Sequence, residues 1–460
     1  MTDTAAPVDL DVLGPGGAYR TRLREILTST AGVPLAELSV APPLYVGRTI
    51  SAARAVRPLP TVARAAALAR AAGMFTSAVI AGLDFESYVV AASRVSGVPV
   101  AVTRAGARCV ADAVAAAFDA VAAARPLGAA LNRRAGPDGG APAVWVRRGD
   151  VFGVLASGNG PGVHTVWPQA LALGYRVAVR PSRREPFTAH RLVQALRNNG
   201  FRAEDVAYLP TDHAGADEIT RSADLAMVYG GPDVVDKYAR RPEVFVNGPG
   251  RSKILVTADQ DWRAYLDVIV DSVAGLGGTA CVNASAVLYE GDPAPLANAL
   301  AERLASIPAL PIEDERALLP TQPVAKAREL AAYLAAKAVG ATAVLGVDRV
   351  VADLGDGSAA LRPAVHLLAG PDTATLNVEL PFPCVWVSPW SRGDGTGPLR
   401  HSLVVSAITG DEDLIDDLLA EPTVANVYRG RCPTHHTAPD MPHDGYLADF
   451  LMRTKGFGCG

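Results

Sequence analysis

The sequence predicts an α/β protein with two lobes, and three patterns carry that prediction. From Val151 to about residue 250, short β-branched runs alternate with helical segments. A second alternating series begins near Lys253. Ahead of both lies an alanine-rich first quarter that reads as mostly helical. Parallel strands need long crossover connections, so regular strand–helix alternation is the pattern of a parallel sheet covered by helices. Such sheets bind ligands at the carboxyl ends of their strands, where the loops gather.

Taken in order, residues 61–72 (TVARAAALARAA) and 105–124 (AGARCVADAVAAAFDAVAAA) combine alanine with periodic polar residues. Alanine has the best helix propensity, so both predict helices that pack as scaffold. RRAGPDGGAP (133–142) is a turn-rich break, and AVWVRRG (143–149) predicts a strand in a hairpin projecting from the body. The first lobe has strands in VFGVLA, YRVAVRP, DVAYLP, LAMVYG and VFVNG. Its helices are HTVWPQALALG, FTAHRLVQALRNNG, AGADEITRSA and PDVVDKYARR. The second lobe starts with KILVT and continues through DWRAYLDVIVDSVAGLG, SAVLYEG, PLANALAERLASI and VAKARELAAYLAAKA. TAVLG, VHLLAG, ELPFPCVWVSPW, the helix DEDLIDDLLAE and the strand VANVYRG complete it. The segment after residue 430 reads as loop.

Composition narrows the function classes. The 460 residues are 49% hydrophobic and 20% charged, with 43 basic and 47 acidic side chains and a formal charge of −4. A weakly acidic chain is a poor binder of nucleic acid through its overall field. No apolar run reaches the roughly 18 residues of a membrane span, and the start lacks the marks of a signal peptide. Five scattered cysteines without a CxxC pair predict neither a disulfide framework nor a zinc site. The expectation is a cytoplasmic protein with reduced thiols. The eight histidines are dispersed; adjacent His435 and His436 read as a loop feature, and no metal is expected.

Five stretches could carry chemistry. SGNGPG (157–162) is a glycine-rich turn from strand to helix. Asn159 in it is either a turn residue or an amide that donates to a developing oxyanion. VRPSRREP (179–186) crowds Arg180, Arg183 and Arg184 at a strand's carboxyl end. That is either a solvated basic loop or a seat for a ribose 2′-phosphate. YGGPDVV (229–235) places Gly230 and Gly231 before a helix opened by Pro232, a plain tight turn or a pyrophosphate seat. GLGGTACVNASAVL (275–288) sets Cys281 among small residues, where it is either a buried thiol or an accessible nucleophile. Glu379 in VELPFPCVWVSPW (378–390) is either a surface acid or a ribose-binding one.

Together, in order and spacing from about residue 60 to 430, these stretches resemble the aldehyde dehydrogenase superfamily. The family's PWNFP-like turn corresponds to SGNGPG, which puts Asn159 on the oxyanion asparagine. KPSE becomes Arg180-Pro181-Ser182-Arg183, and GSTxxG is replaced by the turn from Gly230 to Val235. ELGGKSPxIV becomes NGPGRSKILV (247–256), GQxC becomes GGTAC ending at Cys281, and EEIFGPV becomes residues 378–384. The resemblance implies a Rossmann-type cofactor domain (1–130 and 150–250) and a catalytic domain (251–428). It also implies an oligomerisation hairpin with a C-terminal segment (131–149 and 429–460). It implies a homodimer or homotetramer, Cys281 as nucleophile, and cofactor contacts from Arg180, Ser182, Arg183, Gly230, Gly231 and Glu379.

Two departures set the expected chemistry. The family's general base is the glutamate of ELGGK, and the aligned residue is Asn247, 34 positions before Cys281. A neutral amide cannot take a proton from water. The acyl group on Cys281 would then leave to another thiol, coenzyme A or a phosphopantetheine arm. The reverse of that path is reduction of an acyl-CoA or carrier-bound thioester, and ELPFPCVWV resembles the fatty acyl-CoA reductase branch. Arg183 stands where NAD-preferring members carry glutamate, so NADPH is expected over NADH. The alternative is NAD(P)-dependent oxidation of an aldehyde to the acid or to acyl-CoA, which needs another base for hydrolysis. A non-catalytic scaffold is the competing class, and retention of both Asn159 and Cys281 argues against it.

Overall fold

A computed structural model describes residues 7–134, 142–346, 348–438 and 440–458. Most of the turn-rich break at 133–142, and Cys459, lie outside the described residues.

The first lobe is a seven-stranded sheet. Its order is Val244–Asn247, Leu225–Tyr229, Val151–Leu155, Arg176–Arg180, Val206–Tyr208, Val12–Gly14 and Gly17–Tyr19. The first five strands are parallel, and the last two form an antiparallel hairpin at the edge. The chain runs outward from Val151–Leu155 on one side, then returns to build Leu225–Tyr229 on the other. The order therefore reverses between these two strands, which opens a crevice at their carboxyl ends. The turns SGNGPG and YGGP leave the sheet on either side of that crevice.

The expectation of a mostly helical first quarter holds from Pro43, where five helices follow one another up to Ala124. It fails before residue 40, where five short strands lie. Arg24–Thr28 and Pro34–Ser39 pair antiparallel, with Val8–Leu10 parallel on the other side. These runs are too short and too polar for periodicity to separate strand from loop, and cross-strand pairing decides them.

The second lobe is another seven-stranded sheet. Its order is Thr342–Leu345, Ala364–Leu367, Cys384–Pro389, Ala284–Tyr289, Ser252–Val256, Ser402–Ile408 and Val424–Arg429. Six strands are parallel, and the edge strand Thr342–Leu345 is antiparallel. Ser402–Ile408 is buried along its whole length and was not expected from the sequence. Its apolar run is interrupted by Ser402 and Ser406, whose hydroxyls are satisfied only within the folded chain.

The connection from Asn247 to Ser252 joins the carboxyl end of one sheet to the amino end of the other. Cys281 and Glu379 both lie just ahead of strands of the second sheet, at that same amino edge. The two edges therefore enclose the ground where the candidate residues gather.

The strand expected at 143–149 is Ala143–Arg147. Its antiparallel partner is the chain's own Met452–Gly456 rather than a neighbouring half of a local hairpin. Trp145 on it is buried in the first lobe's core instead of projecting into solvent. Among the described residues no helix is long and apolar enough to cross a membrane.

Candidate active site

The loop that carries Cys281 is shaped by three successive left-handed residues, Leu276 (φ 54°), Gly277 (φ 74°) and Gly278 (φ 63°). Leucine in that region costs roughly 1–2 kcal/mol, so the surroundings must hold the turn. Gly278 also needs its missing side chain, since a Cβ there would stand 2.5 Å from the nitrogen of Pro383. Asn283 staples the loop. Its amide donates to the carbonyls of Ser272 (3.1 Å) and Gly275 (2.6 Å), and its Oδ1 accepts the Ala280 N–H (3.0 Å).

The turn after Asn247 supports Cys281 from the other side. A Cβ on Gly250 would fall 1.7 Å from the Cys281 carbonyl oxygen, so only glycine permits this approach. The Ser252 hydroxyl donates to the same carbonyl at 3.1 Å. Glu379 braces that turn, its Oε2 accepting the Gly250 N–H at 3.1 Å. Burial pushes the Glu379 carboxyl up to about 7, against the opposing pull of the Gly250 and Arg251 N–H groups. Lys253 is fully buried and donates to Ser402 Oγ (2.8 Å), Asn377 Oδ1 (3.0 Å) and the carbonyls of Arg251 and Arg400. Burial pushes its ammonium down to about 7.

Asn159 reaches across from the first lobe. Its Nδ2 donates to the Thr279 carbonyl at 3.3 Å, two residues before Cys281. The Ser157 hydroxyl donates to Asn159 Oδ1 at 2.6 Å and so fixes which end of the amide faces the nucleophile loop. Asn247 is buried, its carbonyl accepting the Gly230 N–H at 3.1 Å, and its Nδ2 meets no partner among the described residues.

Two residues beside Cys281 escaped the sequence reading. His443 Nε2 lies 3.8 Å from Cys281 Sγ, and its Nδ1 is 2.6 Å from Asp444 Oδ2. Burial opposes the imidazolium, but hydrogen bonds to Asp444 and Cys281 outweigh it and push His443 up to about 10. The segment after the last strand brings this pair in. Asn426 donates to the His443 carbonyl (2.6 Å) and to Leu403 O (3.0 Å), and Tyr428 donates to His436 O (3.0 Å). His435 lies 3.4 Å from Asp271, on the same wrapping segment. The only sequence signal was a histidine next to an acid in a loop, which by itself is common.

Tyr229 closes the group. Its hydroxyl donates to Val163 O at 3.2 Å, and burial, with the charges of Asp444 and Cys281, holds its proton well above the usual range.

The remaining expected residues stand at the crevice. Arg180 Nε donates to Thr211 O at 3.2 Å. Ser182 Oγ accepts the Arg184 N–H at 3.2 Å. Arg183 is exposed and pairs with Glu25 at 2.9 Å. Gly230 is pressed against Val234, where a Cβ would come within 2.5 Å, whereas Gly231, Gly160 and Gly162 face open space. Among the described residues, no group of three or more His, Cys, Asp or Glu side chains is set to hold a metal ion.

Comparison with known proteins identifies the fold and the family. The model of the "Aldehyde dehydrogenase family" matches residues 24–394. No curated protein matches the chain. Among solved structures, an NAD-dependent aldehyde dehydrogenase from Sinorhizobium meliloti superposes with a TM-score of 0.82 at 18% identity, covering 98% of this chain and 95% of the other. An indole-3-acetaldehyde dehydrogenase from P. syringae, in complex with NAD+, gives 0.83 at 16% identity, with coverage of 98% and 97%. A 1-pyrroline-5-carboxylate dehydrogenase variant from Thermus thermophilus gives 0.80 at 14% identity, with coverage of 98% and 93%. These likenesses establish the fold, and the family match spans most of the sequence: the chain belongs to the aldehyde dehydrogenase family.

Proposed function

We propose that the protein is a nicotinamide-dependent oxidoreductase that oxidises an aldehyde through a covalent acyl adduct on Cys281. The observation that carries this reading is the convergence on one cysteine of the Asn159 amide, the Gly250 turn and the His443–Asp444 pair. Solved relatives of the same fold are named for aldehyde oxidation, which supports this direction.

Cys281 attacks the carbonyl carbon as thiolate, for which a cationic imidazole is the fitting neighbour. The tetrahedral oxygen draws on the second N–H of the Asn159 amide, whose first is held by Thr279. The crevice residues fit a dinucleotide: Gly160, Gly162 and Gly231 leave room for backbone approach at the carboxyl ends of the strands. Arg180, Ser182, Arg183, Gly230 and Gly231 are the residues that would hold it. A bound nicotinamide supplies the hydride acceptor in this direction and the hydride donor in the reverse one. Glu379, tied to the Gly250 turn, steadies the backbone beside Cys281 and is the acid that would stand nearest the ribose.

Asn247 favours a second reading, NADPH-dependent reduction of an acyl-CoA or carrier-bound thioester, because the position of the hydrolytic base holds an amide. Arg183 supports NADPH in either direction, while its partner Glu25 opposes a 2′-phosphate. We extend the proposal to a homodimer or homotetramer, which light scattering tests.

One experiment separates the readings. Purified protein is given an aldehyde panel with NAD+ and NADP+, and in parallel an acyl-CoA panel with NADH and NADPH, with Cys281→Ala as blank. Cofactor reduction by aldehydes without coenzyme A, lost in the variant, supports oxidation. Aldehyde formed only from thioesters replaces it with the second reading. Turnover that survives Cys281→Ala overturns both.

A further inference from the structure

We propose that His443, oriented by Asp444, is the acid–base residue of this site: it pairs with the Cys281 sulfur in the free enzyme and activates the nucleophile that removes the acyl group. The inference deepens the reading above and rests on Cys281 being the nucleophile.

The geometry selects His443 by what else is present. Asn247 has no site for a proton from water. Glu379 is held to the turn by the Gly250 and Arg251 N–H groups, and Lys253 is spent on Ser402, Asn377 and two carbonyls. Tyr229 holds its proton and donates it to Val163 O. Asp444 is engaged with His443 Nδ1. That leaves His443 Nε2, 3.8 Å from the sulfur. The carboxylate on Nδ1 fixes the ring and leaves Nε2 to face the reacting atoms, the arrangement in which an imidazole serves as base.

The titratable groups facing the imidazole are Cys281 and Asp444, and the charges of both also reach Tyr229. Its protonation follows the state of the sulfur. In the free enzyme, Asp444 and Cys281 together outweigh burial and keep the ring cationic. Once Cys281 is acylated its sulfur carries no charge, so the support from that side is lost while burial and the Asp444 bond remain, and the ring holds its proton less tightly. Deacylation starts when the imidazolium releases that proton to solvent. The neutral ring takes a proton from water as the water oxygen bonds to the acyl carbon. The carbon–sulfur bond breaks, and the electron pair returns to Cys281 as thiolate beside a new imidazolium. The carboxylic acid departs and ionises. A thiol in place of water follows the same path and leaves as a thioester.

The test needs neither cofactor nor native substrate. In the full-length protein, p-nitrophenyl acetate acylates the cysteine with a burst of nitrophenolate, and the steady phase reports deacylation. Iodoacetamide reports the reactivity of the free sulfur. For His443→Gln we expect alkylation at pH 6 to slow about tenfold or more, with the gap closing near pH 9. Its steady phase should fall by about 10²-fold or more, the lower range for general acid–base catalysis. Asp444→Asn keeps the imidazole and should give a smaller loss in both assays, which separates the effect from misfolding. If His443→Gln stays within about threefold of wild type in both assays, this inference fails and Cys281 remains the nucleophile. If the burst survives Cys281→Ala, the inference and the function reading fail together.

Discussion

Cys281, Asn159 and His443 belong to three distant parts of the chain, and each is set by polar contacts rather than by its own identity. Asn159 is a residue that a weak sequence signal singled out and that the fold brings to the Cys281 loop. Removing one oxyanion donor costs about 10²–10³ in kcat. Asn159→Ala should therefore lower kcat by that order with a smaller change in KM, measured with any aldehyde that turns over. Arg183 shows how a neighbour qualifies a residue. Both members of its pair with Glu25 are partly exposed, and such pairs are worth about 0–1 kcal/mol, so a phosphate could displace Glu25 at little expense. Glu25→Gln should raise kcat/KM for the 2′-phosphorylated cofactor relative to the unphosphorylated one. Arg183→Ala should lower that ratio. Titration of both cofactors in the two variants checks this, and equal ratios in all three proteins would remove Arg183 and Glu25 from cofactor selection.

At the scale of elements, the turns do most of the positioning. The Gly250 turn and the Cys281 loop touch backbone to backbone, so Gly250→Ala should displace the nucleophile. Activity should be lost with a fall in thermal stability, because a Cβ 1.7 Å from a carbonyl oxygen forces the loop to move. The helix Phe187–Asn198 carries a second device at its start. Glu185 is fully buried, and its Oε1 accepts the Thr188 N–H at 2.9 Å. Burial pushes its carboxyl up to about 7, so the native state holds a proton that the unfolded chain releases near its ordinary value of 4.5. The stability this confers is fully present below about pH 4.5 and is lost as pH rises through about 7. Glu185→Gln keeps the acceptor and removes the charge. Its melting temperature should decline less than that of wild type between pH 5 and 8. The helices and the buried parallel strands of both lobes were legible from composition and alternation. The short polar strands before residue 40 and the fully buried Ser402–Ile408 were not. The first lack a pattern of their own, and in the second Ser402 and Ser406 interrupt the apolar run, their hydroxyls finding partners only in the folded chain.

At the scale of the molecule, the segment after Gly430 ties both lobes together. It crosses the second sheet, presents His443 to Cys281, and ends as a strand on Ala143–Arg147 of the first-lobe side. Truncation after residue 440 should remove catalysis and also uncover Trp145, seen as a red-shifted tryptophan emission, while leaving both sheets folded by circular dichroism. Loss of all secondary structure would instead make this segment part of the folding core. The sequence by itself determined the α/β class, the two lobes and the resemblance to the aldehyde dehydrogenase family, for which periodicity and local motif order are enough. The roles expected of Cys281, Asn159 and Asn247 are what that resemblance implies. Only the tertiary structure decided what stands beside Cys281. A histidine 162 positions away in a loop has no periodicity or motif to mark it, and long-range backbone and side-chain hydrogen bonds alone bring it to the sulfur.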